Sequence, residues 1–99
     1  MPVVRIILFK TKAGATEEQK NAFIDGSKAL RGVVPGLLSL EIGPSIDMAR
    51  AKGYDMGIVL VLESPAHIKI FAEHPAHLRL HDMREAISED SLAFMLETS

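Results

Sequence analysis

The stretch Tyr54-Asp-Met-Gly-Ile-Val-Leu-Val-Leu62 is apolar at nearly every position. A strand sends alternate side chains to opposite faces, so Met56, Ile58, Leu60 and Leu62 fall on one side and Gly57, Val59 and Val61 on the other. A run that is apolar on both sides predicts a strand covered on both faces. Residues 3 to 10 repeat the pattern, with Val3, Arg5, Ile7 and Phe9 opposite Val4, Ile6, Leu8 and Lys10. Leu37 to Gly43 predict a strand closer to one-sided burial, Leu38, Leu40 and Ile42 alternating with Ser39 and Glu41. Ser91 to Glu97 predict the last strand, after a polar linker at Ser88 to Asp90.

Between these runs the period lengthens. Thr16 with Gln19 three residues later makes a capping box, which opens a helix expected from about 17 to 33. Its buried stripe is Phe23, Ser27, Leu30 and Val34, flanked by Ala22, Ile24 and Val33, and Pro35-Gly36 stops it. Ser45 to Gly53 has no period and reads as a loop. Ser64-Pro65 starts a second helix, with Ser64 as its cap and His67, Ile70, Phe71 and His74 on one face. Pro75 breaks that helix, and a further helical segment runs to Ile87. The order is βαββαβ, an α+β class. Both helical connections then lie on one side of a four-stranded sheet and leave the other face bare. A patch of that size is larger than soluble monomers usually leave wet. A second copy, packed sheet to sheet, would close a barrel around side chains or a ligand.

Length and charge narrow the functional classes. The 99 residues are enough for one domain, spanning 1–99. A net charge of −2 with scattered basic residues gives no footprint for nucleic acid or an anionic membrane surface. The chain contains no cysteine, which excludes disulfides, thiolate metal sites and a cysteine nucleophile and suits the reducing cytoplasm. No segment approaches membrane-spanning length. The glycines are isolated, so no phosphate-cradling loop or dinucleotide fingerprint exists, and no serine sits in a nucleophile elbow. No cofactor is expected.

A few side chains carry candidate chemistry. Arg5 lies on an otherwise apolar strand face, where a charge needs water, a partner or a ligand. It would either clamp a carboxylate, phosphate or phenolate inside the barrel or form a salt bridge to Glu41, Asp55 or Glu97. His74, His77 and His81 are spaced to share a helical face, so a three-histidine metal site is conceivable. Pro75 interrupts that spacing and no matched acidic residue completes the pattern, so no metal is expected. His77 is a candidate base, because imidazole titrates near neutral pH; a hydrogen bond to the backbone is its plainer role. His74, ahead of a proline, is placed to cap the next helix. Phe9, Phe71, Phe94, Met56, Met83 and Met95 would line a pocket or simply fill the core.

Arg5-Ile-Ile-Leu-Phe-Lys10, Thr16-Glu-Glu-Gln-Lys20, Pro35-Gly36, Gly43-Pro44, Gly53-Tyr54-Asp55 and above all His74-Pro-Ala-His77 resemble the stress-responsive dimeric α/β barrel (Dabb) family, over nearly the whole chain. The resemblance implies a ferredoxin-like protomer, a homodimer whose sheets form an α/β barrel, and a cavity within the barrel or between sheet and helices. The family includes plant stress proteins and a polyketide cyclase, so fold does not fix function. The cyclase's first-strand histidine falls on Arg5, its tyrosine on Phe71, and its last histidine on His77. Phe71 has no hydroxyl to donate, and an arginine stays protonated and cannot act as a base. The expected function is therefore a homodimer that binds a small hydrophobic or aromatic molecule, with Arg5, Ile7, Phe9, Phe71, His74 and His77 around it. The alternative is a cofactor-free cyclase, lyase or isomerase in which His77 moves a proton and Arg5 steadies an oxyanion.

Overall fold

The computed structural model describes residues Met1–Ser99. The elements are β1 (Val3–Thr11), α1 (Glu17–Lys28), β2 (Leu37–Pro44), β3 (Met56–Leu62), α2 (Ala66–Glu73), α3 (Pro75–Ile87) and β4 (Ser88–Glu97). They build one antiparallel sheet in the order β2-β3-β1-β4, a ferredoxin-like βαββαβ fold. The two strands that are apolar on both sides are the two central ones, as their composition requires.

Register decides which face meets the helices. Ile7 pairs with Ile58 and Phe9 with Met56, and these four side chains are 5% exposed or less. The same face carries Val3, Leu60 and Leu62, closed over by Phe23, Leu30, Phe71, Leu80 and Ile87. Phe9 meets Phe23 edge to face at 5.6 Å between centroids, a favoured aromatic geometry. Thr16 and Gln19 form the expected reciprocal capping box at the start of α1. Gly36 is needed twice over: its φ is +81°, and an added Cβ would overlap the His67 ring.

The opposite face has no cover within the chain. Val59, Ile6 and Phe94 lie side by side across three strands, with Val61, Val4 and Leu96 in the next row. Phe94 is 58% exposed and Val59 44%.

Several boundaries differ from the sequence pattern. The first helix ends at Lys28 and continues as turns to Pro35, which leaves Val33 exposed while Val34 and Leu30 remain buried; Ala22, inside the helix, lies on its exposed side. Positive-φ Gly32 lies within that turn region. Leu38 is exposed because a register shift between Leu37 and Ser39 takes it out of the alternation. Ser88 to Asp90 is strand rather than linker, pairing with Thr11 and Lys10 across an irregularity. Ser64 does not cap α2; its hydroxyl bonds His67 Nδ1 at 2.8 Å. Ile70 is exposed on α2, away from Phe71.

Candidate functional sites on the two faces of the sheet

The sheet places the expected site residues on its helix side, not on the face that a partner would close. Arg5 pairs across the strand with Leu60, a core residue, and so points under the helices. An Arg5 clamp inside the barrel is thereby overturned. The alternative salt bridge is absent too, because its three candidate acids are engaged elsewhere. Glu41 pairs with Arg31 at 3.3 Å, Asp55 accepts the Thr11 backbone N–H at 2.7 Å, and Glu97 lies 3.9 Å from the N-terminal amine. Arg5 instead stacks its guanidinium 6.0 Å from the Phe71 ring centroid.

Around that stack gathers a cationic cluster. Phe71 and His77 lie 4.4 Å apart and His77 and His81 6.4 Å, between ring centroids. His77 Nδ1 is 3.2 Å from the Ala72 carbonyl, which can only accept, so that nitrogen carries the proton and Nε2 keeps its lone pair. Burial holds the His77 pKa below the usual histidine value; the Ala72 bond opposes this, and the charges of Arg5, Arg84 and His81 add to it. Neutral at pH 7, the ring has the protonation of a base. The free volume beside it is about 20 Å³, lined by Phe71, His77, His81 and Arg84 among others. That is room for a water, not for an aromatic substrate.

His74 does not join the cluster. Its Nδ1 accepts the Ala76 N–H at 3.1 Å and caps α3, the role expected of a residue that Pro75 holds in extended geometry at φ −66°, ψ 131°. The three histidines therefore do not converge on one point. Phe9 is fully buried against Phe23 and is core, not pocket wall, whereas Ile7 does border the small void.

Arg84 was not legible as a site residue from motifs. It sits in the stripe Leu80, Arg84, Ile87, at the i, i+4, i+7 spacing of a buried helix face, and that spacing was its signal. It is 8% exposed, and its Nη2 donates to His81 Nδ1 at 3.1 Å.

The larger space lies on the other face. A groove of about 610 Å³ runs along one end of the bare sheet under the loop between β2 and β3. Its floor is one row across all four strands: Gly43 beside Gly57, Gly57 beside Leu8, Leu8 beside Leu92. Two adjacent residues without side chains leave the hollow, and a Cβ added at Gly43 would meet nothing within 4 Å. Val59 and Tyr54 form walls, with Arg50 and Lys52 at the loop. Tyr54 is fixed from both sides. Its hydroxyl donates to Asp90 at 3.0 Å, and Lys10 Nζ lies 4.9 Å from its ring centroid. The Asp90 bond, then burial and the Asp90 charge, push the phenol pKa up, so Tyr54 stays protonated. No helix in the chain is long and apolar enough to cross a membrane.

Comparison with known proteins agrees with this architecture. Residues 3–96 match the family model of the stress responsive A/B barrel domain. The chain is similar to olivetolic acid cyclase of Cannabis sativa, 27% identical over 95 residues, which cover 95% of this chain and 94% of the relative. Among solved structures, hydroxynitrile lyase from Passiflora edulis superposes with a TM-score of 0.89 at 18% identity, covering 99% of this chain and 94% of that one. A dimeric ferredoxin-like protein of unknown function from Thermobifida fusca superposes with a TM-score of 0.88 at 22% identity, covering 99% and 92%.

Proposed function

The chain belongs to the stress responsive A/B barrel domain family, and from that premise we propose that it is a cytoplasmic homodimer that binds a small hydrophobic or aromatic molecule in the groove over Gly43 and Gly57. The bare sheet face supports the pairing. Val59, Leu92, Phe94 and Leu96 are each more than 40% exposed and form one continuous apolar surface, which association would remove from water. Relatives of the same fold are described as dimers. A second sheet laid over this face would roof the groove and turn an open channel into an enclosed pocket. The lack of cysteine supports a reducing compartment.

The observation that carries the ligand reading is the glycine-floored hollow itself. Its volume of about 610 Å³ lies within the range of small-molecule sites, roughly 300–1,000 Å³. Its apolar floor and the Tyr54 ring suit a flat aromatic guest. Gly43→Val tests this directly, since a Cβ at this position meets nothing within 4 Å and the added methyls project from the groove floor. The variant is expected to stay dimeric while losing the melting-temperature rise that small phenols give the parent protein. A variant that binds phenols as the parent does would remove the groove from the function.

A second reading, cofactor-free acid–base catalysis by His77, is favoured by the free lone pair on Nε2 of a neutral ring. The cyclase and the lyase among the relatives support it. Against it stand Phe71, which has no hydroxyl, and a void no larger than a water beside His77. Catalysis predicts ligand turnover that His77→Gln removes; ligand recovered unchanged refutes it.

A further inference from the structure

The groove over Gly43 and Gly57 has five polar side chains on its wall, Glu41, Ser45, Arg50, Lys52 and Tyr54. Three of them are already engaged within the chain. Glu41 pairs with Arg31 at 3.3 Å, the Ser45 hydroxyl donates to the Asp47 carbonyl at 2.8 Å, and the Tyr54 hydroxyl donates to Asp90 at 3.0 Å. Lys10 over the Tyr54 ring and Asp90 on its hydroxyl offset each other in charge. Arg50 and Lys52 remain. The chain's ion pairs take their cations from Met1, Lys20, Arg31, His67, His81 and Arg84, and no carboxylate pairs with either of these two. The unspent polar side chains of the groove are therefore two cations, which can only donate.

The loop holds these cations beside the groove. The Ala51 carbonyl accepts the Tyr54 N–H at 3.0 Å, closing a turn whose two central residues, Lys52 and Gly53, are both left-handed, at φ +53° and +88°. A lysine adopts that conformation at a cost, so the turn imposes the placement of Lys52. Beneath the loop lies the apolar floor of Gly43, Gly57, Leu8 and Leu92. We propose that the guest of this groove is an aromatic carboxylate, its ring on the floor made by Gly43 and Gly57 and its carboxylate held by Arg50 and Lys52. The proposal rests on the groove being the binding site, and adds to it the sign of the guest's charge and the end at which that charge sits. A guanidinium fork matches a carboxylate, and the ammonium of Lys52 supplies a further donor. A second sheet laid over the face would strengthen both contacts by thinning the water around them. A neutral arene would leave both cations unmatched, and a cationic one would be repelled.

Isothermal titration calorimetry of the full chain at low ionic strength, with 2-naphthoate, 2-naphthamide and 2-naphthylmethylammonium, varies the charge on one ring system. The carboxylate is expected to bind at least about tenfold tighter than the amide, the worth of two charge-assisted contacts at a partly wet rim. The ammonium should bind weakest of the three, and the carboxylate's advantage should shrink with added salt. In the double variant Arg50→Gln with Lys52→Gln, the ratio of carboxylate to amide affinity is expected to fall to about one. Carboxylate and amide binding equally well to the parent protein, and both lost in Gly43→Val, would overturn the anionic guest while leaving the groove as the site. Binding that Gly43→Val leaves unchanged, or no binding of any of the three, would remove the groove itself and the proposal with it. An affinity ratio that the double variant keeps would overturn the role of Arg50 and Lys52.

Discussion

Phe94→Ala separates the stability of the protomer from that of the pair. Phe94 is 58% exposed on the face without helices, so about 115 Å² of a ring that buries about 200 Å² when covered lies in water. Covering that area contributes at most about 3 kcal/mol per protomer, at about 25 cal/mol per Å². Alanine keeps its Cβ, so the loss on truncation is about 2 kcal/mol per protomer. A twofold interface uses the residue twice, which makes about 4 kcal/mol per pair and a dimer dissociation constant raised roughly a thousandfold. Within the protomer Phe94 touches its cross-strand neighbour Ile6, and losing that pair costs less than about 1 kcal/mol. Sedimentation equilibrium over a range of concentrations reads the first effect, and circular dichroism at a concentration where the variant is monomeric reads the second. An unchanged dissociation constant with the fold intact would refute the reasoning, because the ring would then be outside any interface.

Further outcomes follow from the helix-side residues. His74→Ala removes the acceptor for the Ala76 N–H at the start of α3; a lost N-cap costs about 1 kcal/mol, read as a fall of roughly 4–8 °C in thermal unfolding. His74→Asn should keep most of that stability. The lowered pKa of His77 sets a pH dependence. The unfolded ring takes up its proton first, near pH 6.5, so below that pH the unfolded chain binds more protons and stability falls until the lower folded value is passed. His77→Gln should flatten this acid limb in a melting-temperature profile against pH, and an unchanged limb would assign it to another group.

Much of this architecture could be read from the chain because the period of apolar residues was unambiguous where it mattered. The two central strands declared themselves by being apolar on both faces, and Thr16-Gln19 and His74-Pro75 fixed two helix starts by local chemistry. What failed needed register. Arg5 and Val4 are adjacent, and which of them faces the helices depends on how β1 aligns with β3, not on β1 alone. The sequence put Arg5 with Ile7 and Phe9 correctly, but it could not say whether that face met helices or a partner. The groove was hidden for the same reason. Gly43 and Gly57 are fourteen positions apart in the chain, and they make a hollow by standing side by side in the sheet. Arg84 was missed because a charged residue in an apolar helix stripe is ordinarily read as the stripe's edge, whereas here it is 8% exposed.

That a second copy covers the bare sheet face is tested most directly by intermolecular NOEs in a mixture of labelled and unlabelled chains. The account predicts contacts between protomers at the Val59 methyls and the Phe94 ring, with none at Leu78 or Ile70 on the helix side, exposed as those are. Intermolecular contacts confined to the helices, or a mixture that gives none while the chain remains folded, would contradict it.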